Sequence, residues 1–440
     1  MTRPEIHFAP EKNWMNDPNG TVFLNGIYHL FYQYNPHGSD WGNICWAYAK
    51  SRNLIDWQRS NVYLTPQTEL GERYCFSGCA VKTLNGFKIF YTSIGFEKDA
   101  VQRHAKQIIC DADKNFKHIK RNGFCITADI HNFSVSEWRD PFVFVCRNEY
   151  YMVLAGVTDK SHILLYRATD GTLNKWEYVG IFYTPPYDDI AECPNIAVFD
   201  DKIVLIYSLV RENIVKYASG TFDGKRFSVK NTGTVDWGKN CFYATNLAYD
   251  EKGNYILFGW QKESLINKSS VDGTYSGCLA LPRVMLLNGF TPQFRFTNAL
   301  TELQDKLLPI TEEPNKIVCC SSYERARLTF TASADSVVEI LSNDREYVIL
   351  QFENRFARIV RRSLTERADE QLLQAEVCLE QNEVDIVTDG TITEIIINHS
   401  AISFRFYRQY PIKTLFKLVS GTVKNIKIYK MKKPNISTVL

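Results

Sequence analysis

The chain has 440 residues, more than one hydrophobic core usually serves, and this length predicts two domains. Its 51 basic and 49 acidic side chains nearly cancel, which argues against an electrostatic grip on nucleic acid or on an anionic membrane. No apolar run approaches the roughly eighteen residues of a membrane-spanning helix, and the first residues lack the apolar stretch of a signal peptide. We therefore expect a cytoplasmic monomer or homodimer whose partner is a neutral or weakly charged small molecule.

Strand patterns dominate the chain from about residue 8 to residue 295. Pairs of apolar and aromatic runs are joined by turn segments typical of β-hairpins, at residues 25–26, 85–86, 147–148, 200–201 and 251–253. The turns recur at roughly 50 to 60 residues, a period typical of propeller blades. The pattern predicts an all-β fold that begins with a five-bladed β-propeller over residues 1–296.

The rest of the chain predicts a connector and a second β domain. Residues 297–308 are the best helix candidate, because Pro309 ends the pattern and polar residues follow it. We expect residues 297–316 to be a linker with a short helix. Short alternating strands then return, and residues 317–440 predict a C-terminal β-sandwich.

The twelve cysteines are scattered along the chain, and several lie in strand-like segments. Such a distribution favours reduced thiols in the core over the disulfide framework of a small secreted protein. Cys75 and Cys79 have the spacing of half a zinc site, but no His or Cys pair at ligand spacing completes it. We therefore expect neither a metal nor another cofactor.

Three short acidic motifs share one position in the hairpin repeat. They are NDPNG at 16–20, RDP at 139–141 and ECP at 192–194. Asp17, Asp140 and Glu192 lie seven or eight residues before their turns, so the three carboxylates fall nearly in register. Ser77 and Tyr243 hold the same position in two other units. Five blades would therefore point five functional segments at one axis.

Each motif alone would fit an ordinary structural role. The NDPNG run would form a turn, since Pro18 presets φ and Gly20 accepts a positive φ. Arg139 and Asp140 could close a loop as a local ion pair, and residues 192–194 could form the entrance of an edge strand. The shared register favours function, because structural carboxylates have no reason to recur at one depth in three blades.

Carboxylates that converge repel one another, and burial raises their pKa values. Hydrolysis of a glycosidic bond uses such an arrangement. A retaining glycosidase needs one ionised carboxylate as nucleophile and one protonated carboxyl as acid, about 5 to 5.5 Å apart. Aromatic residues near the motifs would offer flat surfaces to sugar rings, although each also fits plain core packing; they are Trp14, Trp41, Phe76, Trp138 and Tyr243.

Together the motifs closely resemble those of glycoside hydrolase family thirty-two, the invertases, sucrose-6-phosphate hydrolases, inulinases and levanases. The matching runs are NWMNDPNG at 13–20, QYNP at 33–36, WGN at 41–43, FSG at 76–78, RDP at 139–141 and ECP at 192–194. Residues 281–283 (LPR) resemble the family's late propeller strand, and Asp389, Glu394 and Asn398 resemble its sandwich signature more loosely. The resemblance thus spans nearly the whole chain.

The resemblance implies a retaining β-fructofuranosidase that hydrolyses the fructosyl bond of sucrose and short fructo-oligosaccharides. It implies that Asp17 attacks the anomeric carbon, while Glu192 protonates the leaving oxygen and later activates water. Asp140 and Arg139 would hold fructosyl hydroxyls, and an ionised Asp140 would help to keep Glu192 protonated. The substrate-binding candidates are Asn16, Gln33, Trp41, Phe76, Ser77, Arg139, Tyr243 and Trp260.

Some positions depart from the family pattern, so the resemblance does not determine which leaving group the site accepts. After WGN the family usually continues with a His-Trp-Gly-His-like stretch, whereas this chain has CWAY at 45–48; Cys79 replaces a common Ser, and Cys241 the usual Asp. A cytoplasmic location would favour imported sugars over polymeric fructan. Sucrose-6-phosphate hydrolase is the alternative activity, and a phosphate would need basic groups near the mouth of the site. Candidates by composition are Arg73, Arg103 and Lys106, although exposed charge is the commoner explanation for such residues.

Two other functions stay open at this point. A propeller that binds fructosides without catalysis could arise when a fold is reused, although the presence of all three acids argues against it. Transfer of the fructosyl group to another sugar instead of water is also compatible with the sequence.

Overall fold

A computed structural model describes residues 3–95, 105–250, 252–263, 273–313, 316–353, 355–362, 369–376 and 380–438. Strand is the main secondary structure of the described residues, which contain no α-helix. Their helical segments are three short 3-10 helices, Thr68–Leu70, Ala128–Ile130 and Asn298–Leu303. Within the described ranges, none of these helices is long and apolar enough to cross a membrane. The all-β class predicted from the sequence is confirmed.

Five antiparallel sheets, each built around four main strands, follow one another over the first two thirds of the chain. The first sheet contains β1 Asn13–Leu24, β2 Ile27–Asn35, β3 Cys45–Ser51 and β4 Trp57–Leu64. The second contains β5 Tyr74–Lys82, β6 Phe87–Ile94, β7 Lys106–Ala112 and β8 Ile119–Thr127. The third contains β9 Glu137–Cys146, β10 Glu149–Val157, β11 Ser161–Ala168 and β12 Trp176–Tyr183. The fourth contains β13 Ala191–Phe199, β14 Lys202–Leu209, β15 Ile214–Phe222 and β16 Phe227–Asp236.

The fifth sheet is less regular and also closes the series onto the first sheet. Its segments are β17 Tyr243–Tyr249, β18 Tyr255–Gln261, β19 Tyr275–Ser276, β20 Cys278–Leu279, β21 Arg283–Asn288 and β22 Thr291–Phe296. The strand order is β17-β18-β21-β22, with β20 paired to β18. The short β19 instead pairs in parallel with the start of β1, where Asn13 lies opposite Tyr275.

The first strands of the five sheets lie side by side in chain order, and β17 packs against β1. One cavity of about 530 Å³ is lined by residues from β1, β5, β9, β13 and β17 together. The hairpins predicted between first and second strands are confirmed by the pairings of β1–β2, β5–β6, β9–β10, β13–β14 and β17–β18. Glu251, in the last of these turns, lies outside the described residues.

Two further sheets form the C-terminal part. Their strands are β23 Gln304–Leu307, β24 Thr311–Glu313, β25 Lys316–Cys320, β26 Arg325–Ser333, β27 Val337–Ser342, β28 Tyr347–Glu353, β29 Phe356–Arg362, β30 Asp369–Glu376, β31 Gln381–Asp389, β32 Ile392–Ile397, β33 Ser400–Arg405, β34 Thr414–Ser420 and β35 Val423–Met431. The last strand, β36 Ile436–Thr438, belongs instead to the first sheet. One sheet has the order β33-β32-β31-β26-β35-β23, and the other has the order β24-β25-β34-β27-β28-β29-β30. Alternating residues such as Leu328, Ile340 and Phe416 form the shared core. This alternation is what places one face of each strand in the interior.

The C-terminal sheets are joined to the first five by backbone pairing. Strand β33 pairs in parallel with β16, where Ala401 lies opposite Asp236. Strand β36 pairs in parallel with β4. Continuous hydrogen bonding therefore links the C-terminal part to the fourth and first sheets.

The helix predicted over residues 297–308 is shorter and of another type. The 3-10 helix Asn298–Leu303 buries Leu300 and Leu303, and the chain is extended from Gln304 onward. Residues Gln304–Leu307 form β23 because the neighbouring strand β35 offers backbone partners. This tertiary pairing overrides a helical preference that depends only on local sequence. The domain boundaries at residues 296 and 317 stay a prediction.

Candidate functional site

All three acidic motifs lie near the beginnings of first strands, and a β-bulge interrupts the pairing at each of them. The register shifts between Met15 and Pro18 in β1, opposite the RDP run in β9, and between Glu192 and Asn195 in β13. Strands β5 and β17 have equivalent bulges at Ser77 and just after Tyr243. A bulge adds a residue to one strand and re-aims its side chains, and bulges are frequent beside active sites. The shared register seen in the sequence thus corresponds to a β-bulge that recurs at the same depth in each first strand.

Asp17 is enclosed by a ring of hydrogen bonds. Asn16 donates from Nδ2 to Asp17 Oδ1 at 3.0 Å and to Gln33 Oε1 at 2.5 Å. Gln33 Nε2 donates to Ser77 Oγ at 2.6 Å, and Ser77 Oγ donates to Asp17 Oδ2 at 2.5 Å. Trp14 fixes the start of the ring, since its indole N–H donates to Asn16 Oδ1 at 2.7 Å. Each oxygen of Asp17 therefore has a fixed direction.

Glu192 is held from two sides. Tyr243 donates its hydroxyl proton to Glu192 Oε1 at 2.5 Å. Arg139 lies on the other oxygen, with Nη2 3.2 Å from Glu192 Oε2. A second carboxylate, Glu137, accepts from Nη1 of the same guanidinium. Burial opposes the charge of Arg139, but Glu192, Asp140 and Glu137 outweigh it and raise its pKa further.

Asp140 has contacts that link it to the surroundings of both Asp17 and Glu192. Its backbone adopts a left-handed conformation with φ of 65°, and its N–H donates to Thr92 Oγ1 at 2.9 Å. Its Oδ2 accepts from the backbone N–H of Cys193 at 3.0 Å, and Arg139 Nε lies 3.7 Å from the same oxygen. The thiol of Cys193 is 3.6 Å from Oδ2 of both Asp140 and Asp17. One sulfur therefore touches two of the three carboxylates, and one guanidinium touches Asp140 and Glu192.

The crowding of these acids changes their protonation. Burial, and then the charge of Glu192, raises the pKa of Asp17 to about 6. Burial also raises the pKa of Asp140 to about 7, with Arg139 opposing and Glu192 and Asp17 adding to the shift. Groups that interact this strongly lose their protons as a cluster. Asp140 therefore retains a proton until close to neutral pH.

An aromatic wall extends from Ser77 toward solvent. Its rings are Phe76, Tyr74 and Trp41, with Tyr74 stacked on Phe76 at 5.9 Å between centroids and Trp41 5.2 Å from Tyr74. Trp41 is 49% exposed, so one side of the wall faces solvent. The guanidinium of Arg73 lies over the ring of Tyr74 at 4.8 Å. Flat rings with a polar rim can hold a sugar ring by stacking.

The structure brings most of the predicted residues together. Asn16, Gln33, Ser77, Arg139 and Tyr243 all take part in hydrogen bonds around the carboxylates. Phe76 and Trp41 form the wall. Trp260 packs beside Tyr243 at 6.4 Å and beside Trp14 at 5.6 Å, and forms the floor behind them. Arg103, a candidate for phosphate binding, lies outside the described residues, and Lys106 is exposed at the start of β7.

Sequence reasoning missed Cys193, Glu137 and Thr92 as members of the site. Cys193 had a signal, because it follows Glu192 directly on a bulged strand. Glu137 and Thr92 had none, since their roles depend on which face of a neighbouring strand meets Arg139 or Asp140. In the described part of the chain no group of three or more His, Cys, Asp or Glu side chains could hold a metal ion.

Known proteins similar to this chain identify its family. Residues 7–295 match the family model described as the N-terminal domain of glycosyl hydrolases family 32. The chain belongs to glycosyl hydrolase family 32. It is 30% identical over 306 residues to a sucrose-6-phosphate hydrolase of Zymomonas mobilis, which covers 64% of this chain and 59% of that protein. It is 32% identical over 321 residues to the levanase of Bacillus subtilis, which covers 67% of this chain and 46% of the levanase. The family 32 chain thus spans about half of the length of these relatives.

Solved structures of family 32 proteins share the fold. A sucrose-6-phosphate hydrolase from Lactobacillus gasseri superposes with a TM-score of 0.85 at 20% identity, covering 98% of this chain and 93% of that one. Fructan 1-exohydrolase IIa from Cichorium intybus superposes with a TM-score of 0.82 at 17% identity, covering 99% and 98%. The coverage includes the C-terminal sheets, which lie beyond the matched family model.

Proposed function

We propose that this chain is a retaining β-fructofuranosidase that hydrolyses sucrose and short fructo-oligosaccharides. In this proposal the first five sheets are the blades of a five-bladed β-propeller, and the C-terminal sheets form a β-sandwich. The cavity lined by all five first strands supports a common axis. The three bulged acidic motifs would meet at one end of that axis.

The observation that carries the proposal is the enclosure of Asp17. A nucleophilic carboxylate must hold one orientation toward the anomeric carbon, and the bonds from Asn16 and Ser77 fix both of its oxygens. Glu192 has the different surroundings that an acid and base requires, since Tyr243 and Arg139 orient it while it keeps partial exposure. A purely fructoside-binding propeller would need neither arrangement.

The reaction would proceed in two steps. Asp17 attacks the anomeric carbon, the bond to the leaving oxygen breaks, and Glu192 gives its proton to that oxygen. Glu192 then takes a proton from water, and the water oxygen attacks the anomeric carbon. The bond to Asp17 breaks, and fructose leaves with its original anomeric configuration. Arg139 and Asp140 would hold fructosyl hydroxyls and stabilise the charge that develops on the ring.

The raised pKa values of Asp17 and Asp140 suit a cluster that must keep one proton and lose another. Asp17 must be ionised to attack, which requires a pH above about 6. Asp140 keeps its proton up to about pH 7, because burial and the charges of Glu192 and Asp17 outweigh the opposing charge of Arg139. The protonation of each acid therefore depends on its neighbours in the cluster. Arg139 contributes to this dependence because it contacts both Glu192 and Asp140.

Hydrolysis of sucrose 6-phosphate is the second candidate. Its support is Arg73, an exposed guanidinium over the aromatic wall at 4.8 Å from the Tyr74 ring, where a leaving glucosyl unit would stack. Arginine binds phosphate through two parallel hydrogen bonds. Relatives from Zymomonas mobilis and Lactobacillus gasseri carry this name. We also propose a cytoplasmic location, for which the eleven free cysteines of the described residues are the support.

Steady-state rates on sucrose, sucrose 6-phosphate, kestose and inulin test the proposal. We expect Asp17→Asn to lose at least about a thousandfold in kcat, because the amide is not a nucleophile. Asp223→Asn, at an exposed turn remote from the site, is the matched control and should retain the wild-type rate. Fructose release that is unchanged in Asp17→Asn would refute the hydrolase assignment. A preference of about a hundredfold for the phosphate would select the second candidate.

A further inference from the structure

We propose that Arg283, clamped by the C-terminal sheet, is a positioning residue that keeps Tyr243 on Glu192 by fixing the ring of Phe242. The C-terminal part would then support proton transfer as well as stability. This inference rests on the proposed role of Glu192 as the acid. It assigns a task to Ser403 and Glu394, which touch no group of the site described above.

Arg283 is fully buried and its charge is compensated on both sides. Nη1 lies 2.7 Å from Asp236 Oδ2, at the end of β16 in the fourth sheet. Nη2 lies 2.7 Å from Glu394 Oε2 and donates to Ser403 Oγ at 2.7 Å, in β32 and β33 of the C-terminal sheet. Such a buried ion group is costly unless each member is paired, so the guanidinium has one position.

Partners outside the ion group hold its acids in turn. Ser403 donates from Oγ to Asp236 Oδ2 at 2.8 Å and from its backbone N–H to Asp236 Oδ1 at 3.1 Å. Glu394 Oε1 accepts from the N–H of Leu281 at 2.7 Å and lies 3.0 Å from His7 Nε2. The serine hydroxyl therefore lies between Arg283 and Asp236 and bonds to both.

The flat face of this fixed guanidinium lies on the ring of Phe242, with Cζ 3.9 Å from the ring centroid. The backbone of β18 is a second constraint, since a Cβ placed on Gly259 would lie 2.9 Å from the Phe242 ring. Phe242 is thus in close contact with both a cation and a strand. Its rotation would have to displace one or the other.

Tyr243 follows Phe242 directly, at the bulge of β17, and its hydroxyl makes the 2.5 Å bond to Glu192 Oε1. At the bulge the backbone is less constrained by the ladder, because the pairing to β18 lapses between Tyr243 and Asn246. Tyr243 still lies opposite Trp260 in the ladder, and the anchored ring of Phe242 is a second fixed point directly beside it. A small shift of the ring would lengthen a hydrogen bond that has little tolerance in distance.

The test compares two substrates that differ in their need for a proton. The glucose unit of sucrose would leave as an alkoxide unless Glu192 protonates its oxygen, whereas 4-nitrophenyl β-D-fructofuranoside releases a stable phenolate without help. In Ser403→Ala, we expect kcat/KM on sucrose to fall about fivefold more than kcat/KM on the aryl fructoside. The alkaline limb of the pH profile on sucrose should also move to higher pH, because a weaker hydrogen bond from Tyr243 disfavours the ionised Glu192 carboxylate.

Ser336→Ala is the matched control. Ser336 is another fully buried serine of the C-terminal sheets, and its hydroxyl bonds to Thr422 O at 2.9 Å with no link to Arg283. It should lose stability while leaving the ratio of the two substrates at the wild-type value. Phe242→Leu, which keeps apolar bulk but removes the platform for the cation, should change the ratio in the same direction as Ser403→Ala.

Three outcomes decide the matter. A selective loss on sucrose in Ser403→Ala and Phe242→Leu, but not in Ser336→Ala, supports the positioning role. Equal losses on both substrates in an active wild-type background would overturn it and leave the proposed function intact. Wild-type protein that releases fructose from neither substrate would overturn the proposed function and this inference with it. If Ser403→Ala does not fold, Phe242→Leu carries the same comparison.

Discussion

Replacing Asp140 with Asn should stabilise the protein at alkaline pH while it damages the site. Burial, together with the nearby carboxylates and against Arg139, raises the pKa of Asp140 to about 7. The folded state therefore binds a proton that the unfolded chain has already lost above pH of about 4, so stability falls as pH rises toward 7. Asn has no such proton, tolerates the left-handed backbone at this position, and can still accept from the Cys193 N–H.

The expected size follows from that shift. Between pH 5 and the folded pKa of about 7, the loss is roughly two units at about 1.4 kcal/mol each. The advantage of Asp140→Asn over wild type should therefore grow by about 2 to 3 kcal/mol between pH 5 and pH 8. Urea midpoints at the two pH values measure it, with the slope m checked for constancy.

A control with the opposite sign is available in Asp223. Backbone N–H groups of Arg226 and Lys225 lower the pKa of this exposed carboxyl, so its charge stabilises the fold above the unfolded pKa. Asp223→Asn should be the less stable protein at pH 8, and the difference should close in strong acid. An Asp140→Asn advantage that is the same at pH 5 and pH 8 would refute the account of the carboxylate cluster.

Four further outcomes are expected. Glu192→Gln should lose at least about a hundredfold on sucrose but much less on an aryl fructoside, and equal losses would contradict its role as acid. Tyr243→Phe should move the alkaline limb of the kcat/KM profile to higher pH, because the hydroxyl that donates to the ionised Glu192 carboxylate is lost, whereas an unchanged profile would remove Tyr243 from the proton transfer. Arg73→Gln should lower any preference for sucrose 6-phosphate by about tenfold and leave sucrose unaffected; a retained preference would place the phosphate elsewhere. Burial lowers the pKa of His7, but the hydrogen bonds of its ring to the carboxylates of Asp389 and Glu394 outweigh burial and raise it to about 9, so its stabilising charge is fully present below about pH 6.5 and lost through pH 9. Melting temperatures of His7→Gln should fall below wild type at pH 6 and converge with it above pH 9.

The sequence predicted the acids of the site well because their signal is local. Asp17, Asp140 and Glu192 occupy one position in a repeated hairpin, and the repeat reflects a bulge at the same depth in each first strand. Turn residues with positive φ, such as Asn25 and Asn148, marked the hairpins for the same reason. Register is set by short segments, and short segments can be read from sequence.

Contacts between distant strands could not be predicted in that way. Arg139 was expected to assist Asp140, yet it lies closer to Glu192 than to its neighbour in sequence. Tyr243 was expected as a flat surface for a sugar, but its hydroxyl is bound to Glu192. Both outcomes depend on how adjacent sheets face each other, which no local pattern records.

The helix prediction for the segment after residue 297 was wrong for a related reason. Its leucines repeat at a helical spacing, and local propensity predicts a helix through residue 308. The edge of β35 instead pairs with Gln304–Leu307, and the helical part ends at Leu303. The buried ion group around Arg283 was equally invisible, because its acids come from residues 47 and 111 positions away.

In the proposed mechanism, the carboxylate of Asp17 forms a bond to the anomeric carbon and is then displaced from the opposite face. Hydrolysis of sucrose in the presence of methanol tests this step directly, because methanol competes with water for the same intermediate. Two successive displacements should give methyl β-D-fructofuranoside as the first transfer product, identified by its carbon NMR signals. The α anomer as the first product would contradict it.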